Sequence, residues 1–260
     1  NDYIDLANFC KKIEIDFLST PFDHDAVDFL DGLMPFFKVA SADITNVPLL
    51  RKVASKKKPI VISTGASTYD EIDFCVNFLK EHNSGQIILL QCTSKYPCSI
   101  ESLNLSVIPK MKSKYNLPVG FSDHSVDPIL APLTSIGLGA TVIEKHFTLD
   151  KNLPGPDHFF ALTPNELKQM IDSIRNTELA YGTGKKEVLE EEMKTRKFAK
   201  RSLQAITDIS KGDILELGIN FDILRPGDRL RGLEARFVTH IIGKKSKLDV
   251  AKGDGINEFE

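Results

Sequence analysis

The chain has 260 residues, 42% of them hydrophobic and 27% charged, with a formal net charge of −3 at pH 7. This is the balance of a globular protein with room for one large domain, alone or with a small module. A nearly neutral, slightly acidic charge argues against nucleic acid as the main partner, and no apolar run reaches the roughly 20 residues of a membrane helix.

The chain opens on a helix-like stretch, DYIDLANFCKKI. Six short apolar runs follow: EIDFLST (14–20), FFKVASA (36–42), KPIVISTG (58–65), QIILLQCTS (86–94), LPVGFSDH (117–124) and TVIEKHFT (141–148). Their centres lie about 20–30 residues apart, the size of one βα unit. The spacers predict helices. DHDAVDFLDGLM sets Ala26, Phe29, Leu30 and Leu33 at helical spacing, and TYDEIDFCVNFLKEH does the same with Ile72, Cys75, Val76 and Leu79. Alternating strands and amphipathic helices imply a parallel sheet covered by helices. Every run ends in polar residues: Ser19-Thr20, Ser41, Ser63-Thr64, Thr93-Ser94, Ser122-Asp123-His124 and His146. An open sheet concentrates its site at one switch point, whereas a (β/α)8 TIM barrel recruits all its strand ends. The barrel is therefore expected. Only six strands are visible, so the first two βα units are expected to lie upstream.

The barrel domain is assigned to 1–183 and ends on a helix introduced by Thr163-Pro164. Residues 184–201, GKKEVLEEEMKTRKFAKR, read as a charged linker. Residues 202–260 read as a small β-rich module of short strands and turns, with SKGD and AKGD as near-repeats. The four cysteines, Cys10, Cys75, Cys92 and Cys98, have no finger spacing, and Asn1-Asp2-Tyr3-Ile4-Asp5 is no signal peptide. Reduced thiols and a cytoplasmic location are expected.

His124 and His146 close consecutive, hence adjacent, strands. One strand-end histidine would cap a loop, but two at equivalent ends can share a divalent metal. Lys38, Ser41 and Asp43 lie together; if they line the barrel mouth, the cation and hydroxyl suit a phosphate and the carboxylate a sugar hydroxyl. The alternative is a surface lysine. Thr20, Ser63, Ser94 and Ser122 would ring the same mouth, although each alone is an ordinary turn residue. YGTGKK lacks phosphate-loop spacing and follows a helix. LRPGDRLRG sets Arg225, Arg229 and Arg231 around a Pro-Gly turn, either a solvated basic turn or a source of one arginine for a carboxylate.

Taken together, STPFD, FKVASADITNVPLL, KPIVISTGAS, LLQCTSKYP, VGFSDHS, IEKHFTLD and PGPDH resemble the N-acetylneuraminate (sialic acid) synthase family, the NeuB-type synthases. The tail, RSLQAITDISKGDIL through DVAKGDGI, is similar to that family's antifreeze-like SAF domain. The resemblance implies condensation of phosphoenolpyruvate with an N-acyl hexosamine, N-acetylmannosamine or a 2,4-diacetamido analogue. The products are a nine-carbon 2-keto acid and phosphate. It implies Mn²⁺ or Mg²⁺ on His124 and His146, polarising the sugar aldehyde. It places the phosphate among Thr20, Lys38, Ser41, Ser63, Ser94 and Ser122. Asp43, Tyr96 and Asp157 fall at positions that handle the sugar. Arg225 matches an arginine reaching the partner's site in a domain-swapped homodimer. PGPDH looks closer to the sialic or legionaminic type; pseudaminic acid synthase and a non-catalytic carbohydrate-binding barrel are the alternatives. Two departures stand out. The family's first two βα units, with a glutamate and a lysine, have no counterpart here, and Asp43 stands where some members have Glu.

Overall fold

Strands and helices alternate through the first of two compact units, into which the chain divides between Thr183 and Gly184. The computed structural model describes residues 2–82 and 84–260. The first unit runs α1 (Asp2–Lys12), α2 (His24–Asp31), β1 (Phe37–Val39), α3 (Val47–Ser55), β2 (Ile60–Ser63), α4 (Tyr69–Glu81), β3 (Ile87–Cys92), α5 (Val107–Tyr115), β4 (Val119–Asp123), α6 (Leu130–Gly137), β5 (Ile143–Lys145) and α7 (Pro164–Tyr181). The five strands form one parallel sheet in chain order.

Local chemistry sets the helix starts. Asp23 accepts from Ala26 N at 2.7 Å, and the Asn46 side chain accepts from Leu49 N at 3.3 Å. Thr68 and Glu71 form a reciprocal capping box at α4, with Glu71 accepting from Thr68 N at 2.7 Å. Thr163 and Glu166 do likewise at α7, just before Pro164, whose missing N–H would be an orphan there anyway.

One set of alternate strand residues packs outward beneath the helices. Phe37, Ile60, Ile62, Leu89, Val119 and Phe121 are fully buried there with Leu50, Val53, Leu79 and Ile108. The other set faces inward, and its chemistry proves that the sheet curls. Lys38 on β1 and Glu144 on β5 lie four strand spacings apart, about 19 Å in a flat sheet. Their charged atoms are 3.2 Å apart. The strands therefore bend round into part of a barrel.

The first predicted strand, 14–20, is not a strand. Its residues run outside the sheet, with Ile15 60% and Leu18 40% exposed. Ser19 N donates to Met34 Sδ at 3.0 Å, where a ladder would need a carbonyl. The segment has the composition of a strand but no ladder partner among the described residues, and composition alone does not make a ladder.

In the second unit α8 (Met193–Ala199) precedes an antiparallel pair, β6 (Ser202–Ala205) with β7 (Phe221–Leu224), and α9 (Val238–Ile241) follows. Isolated bridges such as Ile209 to Val250 and Ile214 to Lys245 complete a small β framework. Leu203, Ala205, Ile209, Leu215, Phe221, Ile241 and Ile256 form its own core. Among the described residues no helix is long and apolar enough to cross a membrane.

Gly120 on β4 tests how tightly the inner face is filled. A Cβ there would sit 2.5 Å from the Val142 carbonyl oxygen and 2.6 Å from Leu90 Cδ2. Gly120→Ala should destabilise the first unit by about 1–3 kcal/mol through overpacking, read as a lower urea midpoint at unchanged slope.

Candidate functional site

The period of two along each parallel strand lines up the inward residues. Lys38 comes from β1, Ser63 and Gly65 from the end of β2, Cys92 and Ser94 from β3, Ser122 and His124 from β4, Glu144 and His146 from β5. All lie toward the C-terminal ends of the strands. A cavity of about 670 Å³ beside them is lined by Thr20, Lys38, Val61, Leu90 and Glu144, among others.

Glu144 is the hub. Its carboxylate pairs with Lys38 Nζ at 3.2 Å and accepts from Ser122 Oγ at 2.5 Å and Ser63 Oγ at 3.4 Å. Glu144 is not among the site residues read from the sequence. The signal that could have found it is parity, because a residue two before an inward histidine on a strand also faces inward.

A second cluster surrounds Gly65. Its N–H donates to Ser41 Oγ at 2.9 Å, and Ser41 Oγ in turn lies 3.8 Å from Cys92 Sγ. A Cβ on Gly65 would collide with Ser94 Oγ and lie 2.8 Å from Cys92 Sγ and 3.0 Å from Ser41 Oγ. The glycine thus lets Ser41, Cys92 and Ser94 close in on the backbone, on the face that carries Lys38. Hydroxyls and a cation on one face suit an oxyanion.

The imidazoles of His124 and His146 lie 5.3 Å apart, centroid to centroid. His124 Nδ1 is 3.0 Å from the Thr93 carbonyl, which can only accept, so Nδ1 carries the proton and Nε2 keeps its lone pair. Burial lowers the His124 pKa below its ordinary value, favouring the neutral ring. His146 Nδ1 lies 3.6 Å from Asp157 Oδ2. Tyr96 packs against both rings, its centroid 4.1 Å from that of His124 and 5.9 Å from that of His146. Burial raises its pKa, and the carboxyl groups of Asp157 and Glu144 act the same way.

Two imidazoles are a fitting donor pair for a divalent cation such as Mn²⁺. Among the described residues no group of three or more His, Cys, Asp and Glu is arranged to hold a metal. A cation here would complete its coordination with water or substrate.

The expected site residues are therefore gathered unevenly. Lys38, Ser63 and Ser122 meet around Glu144, and Thr20 shares the cavity wall with Lys38 and Glu144; Ser41 and Ser94 meet around Gly65; Tyr96 and Asp157 join the histidines. Asp43 instead accepts from Asn46 Nδ2 at 2.9 Å, beside the start of α3. Arg225 lies in the second unit, exposed, just after β7 and before a turn closed by Arg229 N to Pro226 O at 3.1 Å.

A sequence model of the NeuB family matches residues 1–186. An N,N'-diacetyllegionaminic acid synthase from Legionella pneumophila is 37% identical over 97% of this chain and 71% of its own length. A pseudaminic acid synthase from Campylobacter jejuni is 40% identical over 93% of this chain and 69% of its own. In three dimensions the chain is similar to an N-acetylneuraminic acid synthetase from Leptospira borgpetersenii, solved in complex with citrate. That match has a TM-score of 0.69 at 34% identity, over 74% of this chain and 68% of that one.

The close packing at Gly65 gives a direct test. Gly65→Ala should keep a folded circular dichroism spectrum but push the hydroxyls of Ser41 and Ser94 out of place. Titration calorimetry with inorganic phosphate should then show at least tenfold weaker binding than the parent. Equal binding would place the oxyanion elsewhere.

Proposed function

The chain belongs to the NeuB family, and on that premise we propose that it is a nonulosonate synthase, condensing phosphoenolpyruvate with an N-acyl hexosamine to a nine-carbon 2-keto acid and phosphate. The observation that carries the reading is the inner face itself. Lys38, Glu144 and the hydroxyls of Ser63 and Ser122 stand together, beside two imidazoles 5.3 Å apart.

Two kinds of chemistry are needed at once. The phosphate and carboxylate of phosphoenolpyruvate need donors, and the sugar carbonyl needs an electrophilic partner. In this reading Lys38 Nζ and the hydroxyls of Ser41, Ser63, Ser94 and Ser122 hold the anion, with Thr20 at the wall of the cavity. His124 and His146 would hold Mn²⁺ or Mg²⁺, which would supply Lewis acidity toward the sugar aldehyde. The Thr93 carbonyl keeps His124 in the tautomer that offers Nε2. Asp157 orients His146 and, with Tyr96, lines the approach of the sugar. Glu144, already bonded to Lys38 and two hydroxyls, is a proton-handling group within reach of whatever lies beside Lys38. The second unit is read as the antifreeze-like domain of the family. The relatives include legionaminic, pseudaminic and N-acetylneuraminic acid synthases; PGPDH favours a sialic or legionaminic product, with the pseudaminic type as the second reading.

The test is release of inorganic phosphate by the full-length protein, given phosphoenolpyruvate and Mn²⁺ with N-acetylmannosamine or its 2,4-diacetamido analogues. No release with any of them would favour a non-catalytic carbohydrate-binding barrel. Within that assay Lys38→Met should raise the KM for phosphoenolpyruvate by the equivalent of about 1.5–3 kcal/mol, the worth of a charge-assisted contact. A change in sugar KM alone would reverse the two halves of the pocket.

The homodimer implied by the resemblance has its own readout. Arg225→Ala and His124→Ala chains, each inactive, should recover activity when mixed into heterodimers, because one composite site then carries both residues. Proven heterodimers that stay inactive would remove Arg225 from the partner's site.

A further inference from the structure

Directly outside the two histidines lies a second ion pair that the proposed chemistry does not use. Asp123 and Lys145 stand opposite one another in the β4–β5 register, each one residue before a histidine. Parity turns them to the face opposite Ser122 and Glu144. Lys145 Nζ lies 2.7 Å from Asp123 Oδ2, and the two side chains are 4% and 0% exposed. The same lysine also donates to the Ser125 carbonyl, while Asp123 Oδ1 accepts from Ser125 N at 2.7 Å.

His124 is consequently bracketed. The residues on both sides of it are tied to one lysine of the neighbouring strand. Its carbonyl accepts from Cys98 N at 2.8 Å, and its ring is tied to Thr93. On the other strand His146 follows Lys145 directly and accepts from Leu162 N at 2.9 Å.

A fully buried pair is a poor source of stability, because desolvation cancels most of the attraction and apolar residues of equal size often do as well. What a charge pair adds is register. A one-residue slip of β5 against β4 would turn its histidine to the wrong face, and this pair has only one register in which both charges are neutralised. β5 is only three residues long, so its ladder bonds alone hold it weakly.

We propose that Asp123 and Lys145 are positioning residues that fix the spacing of the His124 and His146 imidazoles and so set the affinity for the divalent cation. This rests on the reading of the two histidines as metal ligands. The pair touches neither cation nor substrate and acts through the backbone of the residues that do.

The experiment is calorimetric titration of the full-length protein with Mn²⁺ alone, beside a thermal melt of each variant. Lys145→Met by itself strands a buried carboxylate and is expected to fold poorly. The informative variant is therefore Asp123→Asn with Lys145→Gln, which removes both charges but keeps hydrogen-bonding groups on both strands. It should melt cooperatively, yet bind Mn²⁺ about 10–100-fold more weakly, the usual effect of losing groups that orient metal ligands. A cooperative melt with affinity within a few-fold of the parent would overturn the proposal. Loss of the cooperative melt would also overturn it, by assigning the pair to stability alone. A parent protein that does not bind Mn²⁺, or a His124→Ala variant that binds it equally well, would instead remove the metal reading on which the proposal stands.

Discussion

The inner face depends on one contact, the ion pair between Lys38 and Glu144. It joins the first and last strands of the parallel sheet at 3.2 Å, and only a strongly curled sheet can bring those strands together. The curl then creates the concavity in which everything else meets. The pair also answers the desolvation problem of a polar interior, since neither charge is left without a partner. Glu144 spends its remaining capacity on Ser122 and Ser63. An anion entering beside Lys38 would meet a cation already held in place, with its hydroxyl neighbours already oriented.

Much of this was legible in the sequence because a parallel sheet has a simple grammar. Strands buried on both faces read as apolar runs, and the runs from 36 onward became β1 to β5 in that order. The helices between them declared themselves through apolar spacing and caps, as at Thr68 and Thr163. The polar strand ends pointed to one end of the sheet, and Ser63, Ser122, His124 and His146 do gather there. Run 14–20 misled for a physical reason: it has a strand's composition, but ladder formation depends on a neighbour that local sequence cannot report.

Two site features were hidden for different reasons. Glu144 lay in plain sight, but three ionisable residues in a row give no clue to their faces until the strand's parity is known. Gly65 was invisible because its contribution is an absence. It carries no chemistry, and its role appears only when the atoms that would crowd a Cβ are named. Asp43 is a different case. It sits in a motif with Lys38 and Ser41, yet the chain turns after Ser41, so that nearness in sequence ends in a hydrogen bond to Asn46.

Glu144, Lys145 and His146 show how much one short strand can carry. On a helix three consecutive residues would spread over most of its circumference, and few could reach a common site. On a strand they alternate cleanly. Glu144 turns inward to Lys38, Lys145 outward to Asp123, and His146 inward to His124. Each charge therefore finds a different neighbour, and opposite charges at adjacent positions do not have to neutralise one another. The strand is held by an ion pair on each of its faces, which fixes both its depth in the sheet and its rotation about its own axis. A histidine delivered by such a strand has little freedom left. That is the physical condition for two imidazoles on separate strands to act as one binding unit.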